Sequence, residues 1–145
     1  MMYRALLVLT VCCLMGCTPD ITGLGKIDLG PAPKMTVASG AGQSVPLGAK
    51  AVASVRLVRN DGSPMAGELI AFLYLETIPN QIGGGSITHS TTNADGVAQW
   101  TATTTRVGPF TLTASFYECA TIAFKECPNP LVRASASITG TITAP

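Results

Sequence analysis

The chain has 145 residues, of which 47% are hydrophobic and 12% are charged, and its formal net charge is +1 at pH 7. This length suits one domain, and the composition excludes a disordered chain, which would need low hydrophobicity and high charge. The basic and acidic side chains of residues 17–145 are equal in number, at eight each, which argues against a basic surface for nucleic acid.

Residues 1–16 have the organisation of a secretory signal. Arg4 supplies a positive charge, and the apolar run 5–15 follows it. This run is too short to span a bilayer. It ends in Leu14-Met15-Gly16-Cys17, which resembles the lipobox of bacterial lipoprotein signals. We therefore expect cleavage before Cys17.

The resemblance implies a diacylglycerol thioether on Cys17 and usually a third acyl chain on its amine. We expect no cofactor other than this covalent lipid. Two or three chains hold a protein stably on a membrane, because each buried CH2 contributes about 0.8 kcal/mol. Thr18 follows the cysteine, and the lack of Asp there implies, by the same resemblance, export to the outer membrane. The alternative is an ordinary signal peptide that leaves a free thiol at position 17.

Two cysteines remain after the signal and the lipidation site are set aside, and they are Cys119 and Cys127. An even pair in an oxidising compartment indicates a disulfide, here closing a short loop and contributing about 2.5 kcal/mol. A redox pair or a metal site is the alternative, but it lacks a C-x-x-C spacing and a nearby histidine.

The composition changes twice along the mature chain. Residues 17–35 are rich in Gly and Pro without a sustained period, which predicts a flexible tether. Residues 36–141 contain short β-branched runs separated by Gly, Asn, Asp and Pro, which predict an all-β, immunoglobulin-like sandwich of two sheets. Residues 142–145 form a tail.

Side-chain alternation along the strands predicts the core, with Trp100 as its anchor. The expected inward-facing sets are Ala53, Val55 and Leu57; Ile70, Phe72 and Tyr74; Ala98, Trp100 and Ala102; Phe110, Leu112, Ala114 and Phe116; and Val132, Ala134, Ala136 and Ile138. Turns are expected at residues 60–64 and 93–96, where Asn, Asp and Gly tolerate positive φ.

Several of these segments together resemble the bacterial immunoglobulin-like domains of the invasin and intimin type, the Big-1 group. The resemblance covers roughly residues 36–140, and the matching segments are 39–44, 60–67, 83–87, 92–98 and 108–114. It implies presentation or adhesion at a cell surface. The family usually forms tandem arrays on long adhesins, whereas one copy stands alone here, and the extended connection 117–130 departs from its pattern.

Leu69, Leu73 and Leu75 lie on the face of their strand opposite to the inward-facing set. A strand that is apolar on both sides must have its outer face covered or exposed. Either the loop closed by the two cysteines covers this face through Phe124, or a partner does. We therefore predict an interaction surface formed by the three leucines and Phe124.

Candidate catalytic and ligand-binding chemistry is sparse. His89 is the only histidine and has no triad partners at a recognisable spacing, and Gly83-Gly84-Gly85 lacks the Lys-Ser/Thr of a P-loop. Asp61 and Asp95 lie in predicted turns, and Glu118 and Glu126 flank the cysteines. These patterns indicate turn-forming or solvated carboxylates, with a calcium site as the alternative. We expect no catalytic residue, no metal ligand and no enzymatic activity.

Together these features predict a lipid-anchored lipoprotein of the cell envelope that presents a non-catalytic binding or structural module, including a role in adhesion. Its partner is expected to be a protein of the envelope or of a host surface, since aromatic residues suited to glycans are scarce. The alternatives are an accessory subunit of a larger envelope assembly, a glycan-binding module and an envelope hydrolase.

Overall fold

A computed structural model describes residues 29–77, 85–119 and 130–145, with the backbone alone for Cys119. Every regular element in these ranges is a β-strand. The strands are β1 (Lys34–Ser39), β2 (Gln43–Pro46), β3 (Lys50–Val58), β4 (Leu69–Glu76), β5 (Gly85–Thr91), β6 (Val97–Thr103), β7 (Gly108–Cys119) and β8 (Pro130–Thr143).

The strands form two sheets. One has three strands in the order β1-β3-β6, and the other has five in the order β2-β8-β7-β4-β5. All neighbours are antiparallel except β2 and β8, which are parallel. The pairing of β3 with β6 in one sheet, and of β4, β7 and β8 in the other, is that of the immunoglobulin fold. The predicted two-sheet sandwich is confirmed.

The inward faces of the two sheets form the core. The predicted sets from β3, β4, β6 and β7 are buried, except that Ala102 is partly buried. Trp100 is 3% exposed, and its ring lies 4.9 Å from that of Tyr74, which also packs on Phe110 at 5.6 Å. The alternation of side chains was sufficient to find this core because each strand has one face against the other sheet.

The prediction for the last strand is wrong at Val132, which is 56% exposed. The register of β7 and β8 shifts there: Phe116 pairs with Ala134, but Tyr117 pairs with Val132. Arg133 is therefore the extra residue of a β-bulge. A bulge shifts the side-chain alternation by one residue, so the inward-facing positions differ on its two sides. Val132 consequently lies on the outer face with Tyr117.

Both predicted turns are present. At 93–96, the Asn93 side-chain oxygen accepts hydrogen bonds from the backbone N–H of Asp95 and of Val97. Gly96 has a φ of +73°, and a Cβ atom there would collide with the Leu57 carbonyl oxygen. This position therefore requires glycine, both for its left-handed backbone and for the close approach.

The sandwich has two ends. Lys34 pairs with Val58, and Cys119 pairs with Pro130, at the end where the chain enters, which we call the N-terminal end. Glu76 and the last residues of β8 lie at the opposite, C-terminal end. The strands extend slightly beyond the predicted bounds of the domain, since β1 begins at Lys34 and β8 ends at Thr143.

Candidate functional site

An apolar strip runs along the outer face of the five-stranded sheet. Leu69, Leu73 and Leu75 on β4 are 58%, 37% and 39% exposed. The structure adds Ile87, which is 65% exposed and lies opposite Leu73 on the edge strand β5. We call these four residues the β4–β5 strip. Ile87 was missed because the sequence around it is polar.

Hydroxyl side chains border the strip on its other side. Leu73 pairs with Thr113, which pairs in turn with Ser137 on β8. Leu75 pairs in the same way with Thr111, whose partner is Thr139. Neither row contains a charged side chain. A binder with an apolar centre and a hydrogen-bonding rim would match this face, as is typical of protein interfaces.

The other residues predicted to form sites lie at or beyond the limits of the described chain. Cys17, Phe124 and Cys127 fall outside the described residues. Cys119 ends β7, and its backbone pairs with Pro130. Lipidation, the disulfide and the covering of the strip by Phe124 therefore stay predictions.

His89 and Asp61 both have exposed positions. His89 lies on β5 opposite Ala71 and faces outward beside the strip. Asp61 Oδ1 accepts hydrogen bonds from Ser63 Oγ at 2.7 Å and Ser63 N at 2.9 Å, and these bonds hold its pKa below the ordinary value. This is the Asx turn expected at 60–64. In the described part of the chain, no group of three or more His, Cys, Asp or Glu side chains could hold a metal ion.

A buried carboxylate at the C-terminal end was not predicted. Glu76 is 6% exposed and ends β4. Its Oε1 accepts hydrogen bonds from Tyr74 Oη at 2.8 Å and from Thr105 N at 3.0 Å, and its Oε2 accepts one from Thr105 Oγ1 at 2.7 Å. Thr105 belongs to the connection between β6 and β7, so Glu76 ties the two sheets together.

The ionised form of Glu76 is favoured. Burial alone would raise its pKa, but the hydrogen bonds from Thr105 and Tyr74 and the charge of Arg106 outweigh burial and hold the pKa below its usual range. Burial, followed by the hydrogen bond to Glu76 and its negative charge, raises the pKa of Tyr74. Tyr74 and Thr105 thus supply the hydrogen bonds that the buried charge of Glu76 needs. These bonds are sufficient to explain a structural role for Glu76.

The signal for Glu76 is visible in the sequence. Glu76 continues the inward set Ile70, Phe72 and Tyr74 by one more step of the period of two. A carboxylate at an inward position predicts a buried charge with dedicated donors. The predicted inward set ends at Tyr74, and the donors to Glu76 come from a distant segment that no local pattern indicates.

A cavity of about 270 Å³ opens beside this carboxylate, between the edge strands of the two sheets. Its lining includes Tyr74, Glu76, Ser86, Thr103 and Arg106. Both oxygens of Glu76 are engaged by donors of the protein itself, so the carboxylate is not prepared to act as an acid or a base. The geometry of Glu76 is that of a structural hydrogen-bond acceptor that connects the two sheets.

A second polar cluster joins the entering chain to the N-terminal end. Arg133 Nε lies 2.8 Å from Glu118 Oε2, and Arg133 Nη2 donates to the carbonyl oxygens of Leu29 and Gly30 at 3.0 and 2.8 Å. Pro33 is buried. The last part of the predicted tether is therefore held against the sandwich.

A scan of the sequence against protein-family models finds no match, and a search of curated proteins finds none either. No helix among residues 29–77, 85–119 and 130–145 has the length and apolar character needed to cross a membrane.

Proposed function

We propose that this chain is a lipoprotein of the cell envelope, anchored through Cys17, whose immunoglobulin-like sandwich is a non-catalytic module that binds a protein partner. The binding surface is the β4–β5 strip. The observation that carries the proposal is the exposure of the four aliphatic side chains of that strip on a sheet face where no described segment covers them.

Two further observations support a binding role over an enzymatic one. The buried carboxylate of the described chain, Glu76, has both oxygens occupied by hydrogen bonds from Tyr74 and Thr105. The single histidine, His89, is exposed on the edge strand β5 opposite Ala71. The resemblance to invasin-type domains is consistent with presentation at a surface.

The partner is proposed to be a protein because of the chemistry of the face. Burial of aliphatic side chains against other apolar side chains is favourable by about 25 cal/mol per Å² of surface removed from water. Glycan sites, by contrast, usually offer exposed aromatic rings, and the strip has none. The neighbouring rows of Thr and Ser can form the polar rim of such an interface.

A pair of matched variants tests the binding surface. Leu73→Asp charges the strip, and Val52→Asp places the same charge on the outer face of the three-stranded sheet, at a residue that is 40% exposed against 37% for Leu73. Chemical cross-linking in native membranes, followed by mass spectrometry, identifies the neighbours of each variant. We expect a neighbour that is retained by the wild type and by Val52→Asp to disappear with Leu73→Asp.

Thermal unfolding of both variants controls for folding. If Leu73→Asp does not fold, the strip belongs to the core, and the proposed surface is wrong. If both variants fold and keep the same neighbours, the partner binds elsewhere.

The anchor has its own test. Intact-mass analysis of the mature protein should show acyl chains at Cys17, and detergent phase partitioning should place the protein in the detergent phase. Cys17→Ala should move it to the aqueous phase. An unmodified thiol at position 17 in a protein that stays aqueous would refute the lipoprotein proposal.

A further inference from the structure

Exposed apolar side chains lie on β7 and β8 close to the residue that holds the entering chain to the sandwich. Leu131 and Val132 directly precede Arg133, which binds the carbonyl oxygens of Leu29 and Gly30. They are 48% and 56% exposed, and Tyr117, the pairing partner of Val132, is 42% exposed. Tyr117 and Val132 share the outer face of the five-stranded sheet, whereas Leu131 pairs with Glu118 and lies on the opposite face. We call Tyr117 and Val132 the end patch.

The length of chain before Leu29 limits how far this end can lie from the anchor. Eleven residues lie between Cys17 and Leu29, so twelve residue-to-residue steps connect them. A chain of that length spans at most about 40 Å when fully extended. The 14 residues of β8 alone extend for about 45 Å. The N-terminal end therefore stays within about 40 Å of the anchor, whereas the C-terminal end can lie farther away by the length of the sandwich.

We infer that the end patch rests on the lipid surface and orients the sandwich with its C-terminal end away from the membrane. This inference depends on the proposed lipidation of Cys17. The occupant is the bilayer because the chain between Cys17 and Leu29 connects this end of the domain, and not the C-terminal end, directly to the acyl chains. Aliphatic and tyrosine side chains are those that enter the interface between headgroups and acyl chains.

The contact is apolar and not electrostatic. The described charged side chains at the N-terminal end balance one another, and they are Lys34, Arg56, Arg59 and Arg133 against Asp61, Glu68, Asp95 and Glu118. Arg133 is also paired with Glu118 and is not available to lipid phosphates. The contact should therefore be insensitive to salt and to the charge of the lipid.

Two tryptophan reporters in the full lipidated chain test the inference. Val132→Trp lies in the end patch, and Val107→Trp is its control at the C-terminal end, since both valines are 56% exposed. The partner of Val132, Tyr117, lies ten residues along from Val107, which is about 33 Å in a strand. The protein is placed in phosphatidylcholine vesicles that have bromine on their acyl chains. The buried Trp100 gives a background that the wild type measures.

Val132→Trp should lose fluorescence in brominated vesicles and shift its emission to shorter wavelength, and Val107→Trp should do neither. The loss should persist in high salt and be unchanged when anionic phosphatidylglycerol is added to the vesicles. Tyr117→Trp serves as a second reporter of the end patch and should behave like Val132→Trp.

Flotation of the vesicles separates the two ways of failing. Protein that floats with the vesicles while both end-patch reporters remain unquenched overturns the inference and leaves the lipid anchor intact. Quenching of all three reporters overturns it as well, because the domain would then lie flat. Cys17→Ala is the control that should not float. Wild-type protein that does not float refutes both the lipid anchor and the inference.

Discussion

Strand β4 carries large apolar side chains on both faces, and the two faces have opposite environments. Ile70 and Phe72 point inward and are fully buried, whereas Leu69 and Leu73 point outward and are 58% and 37% exposed. The inward face meets the three-stranded sheet, and the outward face meets no described element. Strong hydrophobicity therefore indicates that a strand face is suited to being covered, but the cover can be internal or external.

The two faces of β4 also differ in their polar residues. The inward face ends in Glu76, whose oxygens are bonded to Tyr74 and Thr105. The outward face has no charged side chain at its centre and is bordered by Thr111 and Thr113. The polar groups of the inward face are satisfied within one molecule, whereas the apolar centre of the outward face is exposed.

The largest expected effect is that of Phe72→Ala. Because Phe72 is fully buried, its loss leaves a cavity, and the free energy of unfolding should fall by about 3–5 kcal/mol. Urea denaturation measures it, with Leu69→Ala on the outward face as the control, for which about 1 kcal/mol or less is expected. Similar losses for both variants would mean that the two faces are equivalent.

Glu76→Gln should lower the free energy of unfolding by about 2 kcal/mol at neutral pH, because hydrogen bonds to a charged group are lost in a buried site. The pKa of Glu76 is lower in the folded state, so its contribution is present above the unfolded pKa of about 4.3. It is lost as the pH falls through the folded pKa.

Urea midpoints measured from neutral to acidic pH should therefore converge for the wild type and Glu76→Gln on the acid side. A difference in midpoint that is constant at all pH values would contradict the assignment of Glu76 as an ionised tie.

Tyr74→Phe should have a smaller effect of about 1 kcal/mol, because it removes the donor to Glu76 but keeps the ring packed on Trp100 and Phe110. Tyr117→Phe, at an exposed position, is the control and should leave the urea midpoint unchanged. Equal effects of the two variants would argue against the hydrogen bond as a stabilising contact.

Leu73→Thr should have the smallest effect, at most about 0.5 kcal/mol, since threonine suits a strand and the position is already partly exposed. Thermal unfolding measures it. A large loss of stability would show that the outward face is covered within the molecule, and this would remove the support for the β4–β5 strip as a binding surface.

Much of the fold could be predicted because its determinants are local. The alternation of Ile70, Phe72 and Tyr74 and the turn chemistry of Asn93 and Gly96 depend on neighbours within a few residues. Val132 is the position at which the prediction from local alternation is wrong. The bulge at Arg133 reverses the alternation, and no local pattern of the strand indicates an extra residue.

The candidate site was predicted in part for the same reason. Leu69, Leu73 and Leu75 share a face of one strand, so the period of two was enough to group them. Ile87 joins them only through the register of β5 on β4. The ties of the sandwich are equally non-local, since Glu76 meets Thr105 and Arg133 meets Leu29 across long stretches of chain.

The sequence by itself determined the all-β class, the inward faces of the main strands and the exposed turns, because these follow from side-chain periodicity and from residues that tolerate positive φ. Only the tertiary structure decided which sheet edge is next to which, where the register shifts and which distant groups satisfy a buried charge. Those features depend on contacts between residues far apart in the chain, and each strand would be compatible with several neighbours until all of them are placed together.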